Sequence, residues 1–135
     1  MEVKLTRPET LTSTTTKVPT GLGTLYITIC ELEGKPFEVF CTIGKSGGSI
    51  MAKAEVVGRM ISLALRYKVP LDEIVDQLID ISGSEQMPWK DTVIKSIPDA
   101  VGKILKRKYI DKHLGKVMYE QPFEEGEDES TGNEE

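Results

Sequence analysis

The first third of the chain contains three candidate strands, and two of them alternate apolar and polar residues with the period of two that a pleated strand imposes. Residues 12–18 are rich in β-branched side chains and are followed by a proline and two glycines, which predicts a strand and a tight loop. Residues 24–32 and 37–43 are the two stretches in which apolar and polar residues alternate, and turn-forming residues at 33–36 separate them. The pattern predicts an N-terminal strand followed by a β-hairpin.

After the glycine-rich segment 44–49, the apolar residues recur at helical spacing. This predicts a central helix that ends near Lys68, because Pro70 removes a backbone donor. Pro70 can itself open a second helix, and a third helix is predicted from Pro98 to about Lys112.

The order of these elements predicts an α+β fold, in which about three helices pack on one face of a small antiparallel sheet made of the N-terminal strand and the hairpin. Residues 83–91 are predicted to be a loop. The length of 135 residues fits one domain, which we assign to residues 1–119, and residues 120–135 are predicted to form an acidic disordered tail. Residues 124–135 hold seven carboxylates and no base, so without them the net charge of -5 becomes about +2.

Hydrophobic residues make up 39% of the chain and charged residues 29%, an ordinary globular composition. No apolar stretch is long enough to span a bilayer and no signal segment is visible at the N-terminus, so we expect a cytoplasmic protein with no membrane partner. In a reducing cytosol Cys30 and Cys41 are expected to be core thiols rather than a disulfide.

The segment most suggestive of binding is glycine-rich and lies between a strand and a helix, where backbone amides and the helix dipole favour an anion. Its residues are a candidate phosphate cradle: Lys45, Ser46, Gly47, Gly48 and Ser49. The order of residues differs from a Walker loop, so nucleoside triphosphate hydrolysis is not implied. The alternative is a flexible turn with Ser49 as the N-cap of the helix.

Four basic residues are candidates to converge on this segment, namely Arg7, Lys17, Arg59 and Arg66, and the last two share one helix face. A second basic cluster, on the third helix, could attract nucleic acid: Lys103, Lys106, Arg107 and Lys108. The acidic balance of the chain favours a solvated helix face over a nucleic-acid site.

No catalytic or metal-binding set is apparent. The single histidine, His113, has no second histidine or nearby cysteine with metal-ligand spacing. No nucleophile elbow precedes it. We therefore expect no catalytic residue, no metal and no cofactor.

Several separated motifs are together similar to those of one known family. They are Thr20-Gly21-Leu22-Gly23, Leu25-Tyr26-Ile27-Thr28, Phe37-Glu38-Val39-Phe40, Ile43-Gly44-Lys45-Ser46-Gly47-Gly48, Gly58-Arg59-Met60-Ile61-Ser62-Leu63-Ala64-Leu65-Arg66, Val69-Pro70-Leu71-Asp72-Glu73-Ile74, Gln77-Leu78 and Lys95-Ser96-Ile97-Pro98-Asp99-Ala100. They cover about residues 7–106, and the family that they resemble is the TSCPD domain. The TSCPD domain is the C-terminal module of adenosylcobalamin-dependent ribonucleotide reductases and also occurs as a short free-standing protein.

The chain departs from this family where cysteines are usual. Leu22, Ile97 and the segment 82–84 stand in those places, so the resemblance carries over no redox or zinc role, and we expect Leu22 and Ile97 to form a packed apolar site. The resemblance implies a non-catalytic accessory of ribonucleotide reduction that binds a nucleotide, another phosphorylated small molecule or a reductase subunit. The alternative is a free-standing, possibly phage, protein that sequesters a nucleotide or cyclic nucleotide. In either case we expect a homo-oligomer.

Overall fold

The computed structural model describes residues 3–44 and 47–111. Three long strands come first, followed by two helices, a short hairpin and a last helix. The elements are β1 (Thr12–Thr20), β2 (Gly23–Leu32), β3 (Lys35–Ile43), α1 (Gly48–Arg66), α2 (Leu71–Leu78), β4 (Met87–Trp89), β5 (Thr92–Ile94) and α3 (Ile97–Leu105), which continues into a π-helical segment (Lys106–Asp111). The predicted α+β fold is confirmed.

The three long strands form an antiparallel sheet in the order β1-β2-β3. Alternation along β2 and β3 sends one set of side chains into the core that the sheet shares with the helices, including Leu25, Ile27 and Val39. The opposite set faces outward and includes Tyr26 and Phe40, whose exposed fractions are 40% and 50%. The sheet therefore has one buried face and one face that carries exposed aromatic side chains.

Helix α1 covers the outer edge of β3 by a contact between backbones. Ser62 accepts a hydrogen bond from the N–H of Val39 (2.9 Å) and donates one to its carbonyl (3.0 Å). Gly58 lies one turn away, where a Cβ atom would come within 2.9 Å of the Val39 carbonyl oxygen. An edge strand left bare would expose such groups, and a side chain at position 58 would hold the helix away from them.

Strand β4 lies within the predicted loop 83–91, and it pairs with β5, for which the sequence analysis predicts no element, to form a second sheet. That part of the prediction is wrong. Each strand has only three residues, β4 contains Pro88, and the connecting residue with positive φ is Lys90 (φ 54°) rather than glycine or asparagine. The usual hairpin signals are therefore missing from the sequence.

The fully buried carboxylate of Asp99 joins three segments around the start of α3. One oxygen accepts a hydrogen bond from the backbone N–H of Asp80 (2.7 Å), and the other accepts from the N–H of Lys95 (2.8 Å) and from Nζ of Lys103 (2.8 Å). Lys103 also donates to the carbonyl of Val93 in β5 (2.5 Å). This satisfied polar cluster holds α3, the end of α2 and the second sheet together.

Several boundaries differ from the prediction. The N-cap of α1 is Gly47 rather than Ser49, and it makes no side-chain cap. Strand β1 continues through Pro19, which an edge strand tolerates because its missing N–H need not serve a second neighbour. The third helix is α-helical only to Leu105, after which the hydrogen bonding becomes π-helical.

Some predictions fall on residues outside the described part of the chain, namely Lys45, Ser46, His113 and the acidic tail 120–135. The helices of the described part include none with the length and apolar character needed to cross a membrane.

We expect Ser62→Ala to lower the free energy of unfolding by about 1–3 kcal/mol, because the N–H and carbonyl of the buried Val39 lose their partner. Urea denaturation followed by circular dichroism measures this. Ser49→Ala is the matched control, since Ser49 is exposed in the first turn of the same helix, and it should change stability by no more than about 0.5 kcal/mol. Equal stabilities of the two variants would contradict the role given to Ser62.

Candidate functional site

A groove of about 500 Å³ runs between α1 and the outward-facing side of β3. We call it the α1–β3 groove and define it by Phe40 and Thr42 from β3 and by Met51, Arg59 and Leu63 from α1. Phe40, Met51 and Leu63 are large apolar side chains with exposed fractions of 50%, 51% and 41%. Its volume lies in the range of small-molecule sites, and its apolar surface is open to a ligand.

The rim of the groove carries charges of both signs. Arg59 pairs with Glu55 one turn earlier in α1 (3.0 Å), and both side chains are largely exposed. Lys4 lies on the same rim. An exposed pair of this kind is weak, so Arg59 can exchange Glu55 for an anionic ligand at little cost.

Two of the predicted site residues, Arg7 and Arg66, are engaged in holding the N-terminal segment. Nε of Arg7 donates to both carboxylate oxygens of Glu38 (3.0 and 3.1 Å). Arg66 donates to the carbonyl of Leu5 from two nitrogens (3.3 and 3.2 Å), and its guanidinium lies 5.5 Å from the centre of the Phe37 ring. These contacts give both arginines a structural role at the C-terminal end of α1.

The described part of the glycine-rich segment lies at the other end of that helix. Gly47, Gly48 and Ser49 are exposed, and a Cβ atom at either glycine would meet nothing within 4 Å. Gly47 has a φ of -67° and Gly48 is helical, so neither needs the left-handed conformation. With 1.5 Å of rise per residue, Gly48 and Arg66 are about 27 Å apart, and one phosphate cannot contact both. The expected convergence of the arginines on this segment therefore fails for Arg66.

Lys17 lies in a different groove, along β1. This β1 groove, of about 860 Å³, is lined by Thr14, Thr15, Thr16, Lys17, Trp89, Lys90, Ile104, Arg107 and Lys108. Arg107 pairs with Asp91 (2.6 Å), and hydrogen bonding to this guanidinium holds the pKa of the Asp91 carboxyl below its usual range. The basic cluster predicted on the third helix is divided, because Lys103 turns inward to Asp99 and Lys106 pairs with Asp111 (2.8 Å).

The two cysteines are free and buried on opposite faces of the sheet. Cys41 is paired across the sheet with Ile27 on the core face, whereas Cys30 is paired with Glu38 on the other face. Burial raises the pKa of the Cys41 thiol to about 12. Burial also raises the pKa of the Cys30 thiol, and the nearby carboxylate of Glu38 raises it further.

The apolar site expected from Leu22 and Ile97 forms only in part. Ile97 is buried at 4% exposure, but Leu22 is 41% exposed. Leu22 therefore lies at the surface in the turn between β1 and β2. Across residues 3–44 and 47–111, no three histidine, cysteine or acidic side chains are grouped so that they could hold a metal ion.

These features define a small α+β module that presents a ligand-sized groove beside a helix. A family model described as the TSCPD domain matches residues 1–109, and the chain therefore belongs to the TSCPD domain family. This domain is related to ribonucleotide reductases and is a module rather than a complete catalytic enzyme. No curated protein matches the chain. No solved structure matches it either.

The sequence analysis misses Phe40 as a site residue, although a signal for it is present. In the alternating pattern of β2 and β3, Tyr26 and Phe40 occupy the positions that face away from the core. An aromatic side chain at an outward position of a strand is a reason to expect a binding surface.

We expect both thiols to be nearly inert in the folded protein. A pKa raised from 9.0 to about 12 lowers the thiolate fraction of Cys41 at pH 8 by roughly a thousand-fold. Ellman's reagent should therefore react at once only after denaturation, when it should report two thiols. Because the folded pKa is raised, the stabilising contribution of the neutral thiol is present below the ordinary pKa and is lost as the pH rises toward 12. Immediate reaction of one thiol in native protein would contradict the burial described.

Proposed function

We propose that this protein is a non-catalytic module that binds a nucleotide in the α1–β3 groove as an accessory of ribonucleotide reduction. The observation that carries the proposal is the pairing of a half-exposed aromatic ring, Phe40, with a guanidinium, Arg59, in one groove of suitable size. Membership of a family related to ribonucleotide reductases supports the choice of a nucleotide over other small molecules.

An aromatic ring and a cation can bind two different parts of a nucleotide, the base and the phosphate. Stacking of a base on an aromatic side chain contributes about 1–3 kcal/mol and tolerates different bases. A guanidinium binds phosphate oxygens through charge-assisted hydrogen bonds. Phe40 and Arg59 line the same groove, and a Cβ atom at Gly58, the residue before Arg59, would come within 3.4 Å of the Phe40 Cα atom. In the proposed complex, one ligand engages both side chains.

The N-terminus of α1 offers a second contact for phosphate. Met51 lines the groove and its N–H donates to the carbonyl of Gly47, so the groove begins within one turn of the helix start. Gly48 and Gly58 are ten residues apart, or about 15 Å along the axis. In the proposed complex, the phosphate chain extends toward the exposed amides at Gly48 and Ser49 while the base lies on Phe40.

A second candidate function is sequestration, in which the same groove holds a nucleotide or cyclic nucleotide without handing it on. The charged pair on the rim, Arg59 and Glu55, is solvent-exposed and both thiols are buried with raised pKa values, which supports binding without turnover. Self-association is part of either proposal, because Tyr26 leaves apolar surface on the outer face of the sheet, outside the groove.

We expect Phe40→Ala to weaken nucleotide binding at least about ten-fold, through loss of a stacking contact of about 1.4 kcal/mol or more. Titration calorimetry with a panel of mono-, di- and cyclic nucleotides measures this. Met60→Ala is the matched control, since Met60 is a large apolar side chain of α1, 59% exposed, that does not line the groove.

Gly48→Val tests the phosphate end of the same site. A Cβ atom there would meet no atom within 4 Å, so circular dichroism should be unchanged while nucleotides with several phosphates bind more weakly. Binding to both variants with the affinity of the parent protein would overturn the proposal. If Gly48→Val binds normally and Phe40→Ala does not, the stacking of the base on Phe40 is supported. The proposed phosphate contact at the N-terminus of α1 is then wrong.

The accessory and sequestering functions predict different outcomes when the protein is mixed with an adenosylcobalamin-dependent ribonucleotide reductase. An accessory should co-sediment with the reductase or change its rate. A sequestering protein should do neither in ligand excess, and should release unaltered nucleotide after denaturation. The sedimentation coefficient of the protein alone, against that of a 15.0 kDa monomer, also tests the expected homo-oligomer.

A further inference from the structure

The β1 groove is distinct from the α1–β3 groove in its charge. Four of its nine lining residues are cations, Lys17, Lys90, Arg107 and Lys108, and none is acidic. The α1–β3 groove, by contrast, is lined by both acidic and basic side chains. A groove with one sign of charge attracts ligands of the opposite sign.

Much of this positive charge is not neutralised within residues 3–44 and 47–111. Lys17 and Lys90 make no ion pair there, and Arg107 pairs with Asp91. Nζ of Lys90 and Cζ of Arg107 each lie 5.3 Å from the centre of the Trp89 ring. The groove therefore has room for carboxylates and a tryptophan beside them.

The chain itself carries a matching segment. The described residues end at Asp111, in the same π-helical segment that supplies Arg107 and Lys108 to the groove. Residues 124–135 contain seven carboxylates and no base. The twelve residues between them, 112–123, can span up to about 40 Å when extended, more than enough to return to the groove.

We propose that the acidic segment 124–135 docks in the β1 groove of its own chain through ion pairs with Lys17, Lys90, Arg107 and Lys108. Tethering gives this segment an effective concentration of about millimolar at the groove. An external polyanion lacks that advantage. The segment has few residues that favour a strand, so the contact is electrostatic rather than an added strand of the sheet.

Exposed ion pairs are weak and are screened by salt, so docking should hold at low ionic strength and be lost at about 0.5 M salt. The single tryptophan, Trp89, lies in the groove and reports on it directly. Quenching of its fluorescence by iodide depends on the local charge, whereas quenching by neutral acrylamide does not.

The test compares full-length parent protein with a variant carrying Glu124→Gln, Glu125→Gln, Glu127→Gln, Asp128→Asn and Glu129→Gln. At about 0.02 M ionic strength, where screening is weak, the iodide quenching constant should rise at least about two-fold in the variant, because the exposed cations then attract iodide. The difference should disappear at about 0.5 M salt. Acrylamide quenching should change less than iodide quenching.

A control variant with the same net charge separates docking from a general effect of charge. It carries Glu9→Gln, Glu33→Gln, Glu55→Gln, Asp72→Asn and Glu73→Gln, none of which lines the β1 groove. Its iodide quenching should match the parent. Equal quenching of parent and tail variant at low ionic strength, or an equal rise in the control variant, would overturn the proposal. If a short oligothymidylate instead protects Trp89 equally in parent and tail variant, the groove belongs to an external polyanion, and the proposal is likewise overturned.

Discussion

The close contact between α1 and the outer edge of β3 is the constraint on which the rest of the molecule depends. It needs a residue without a side chain at position 58 and a hydroxyl at position 62, so that the helix can lie against the strand and bond to its backbone. Because the helix lies beside the strand, Phe40 forms the floor and α1 the wall of one groove. A larger residue at position 58 would widen this groove as well as expose the edge of the sheet.

The basic side chains that the sequence offers as one site are separated by their local partners. Arg7 and Arg66 are bound to Glu38 and to the carbonyl of Leu5, at the C-terminal end of α1. Arg59 stays on the groove with only an exposed partner, and Lys17 belongs to the opposite edge of the sheet. A cation is available to a ligand only when its existing contacts are weak, and Arg59 meets this condition best among the three arginines.

Sequence patterns predict the long strands and the helices because each has many residues of one period, as in the alternation from Leu25 to Ile29. The second sheet is missed because three-residue strands have almost no period and because Lys90 adopts a positive φ that its identity does not suggest. The groove is missed for a different reason. Phe40 and Arg59 line the same groove because of how α1 is placed against β3. This placement is a tertiary contact that the sequence of neither segment reveals alone.

Asp99 has a consequence for the dynamics of the native state. The backbone amides that it accepts from, those of Asp80 and Lys95, lie outside regular helices and strands, where local opening is normally frequent. Here neither can be freed without leaving a fully buried carboxylate short of a donor. The end of α2, the second sheet and the start of α3 should therefore open together as one cooperative unit, and their connecting loops should be as long-lived as the helices that they join.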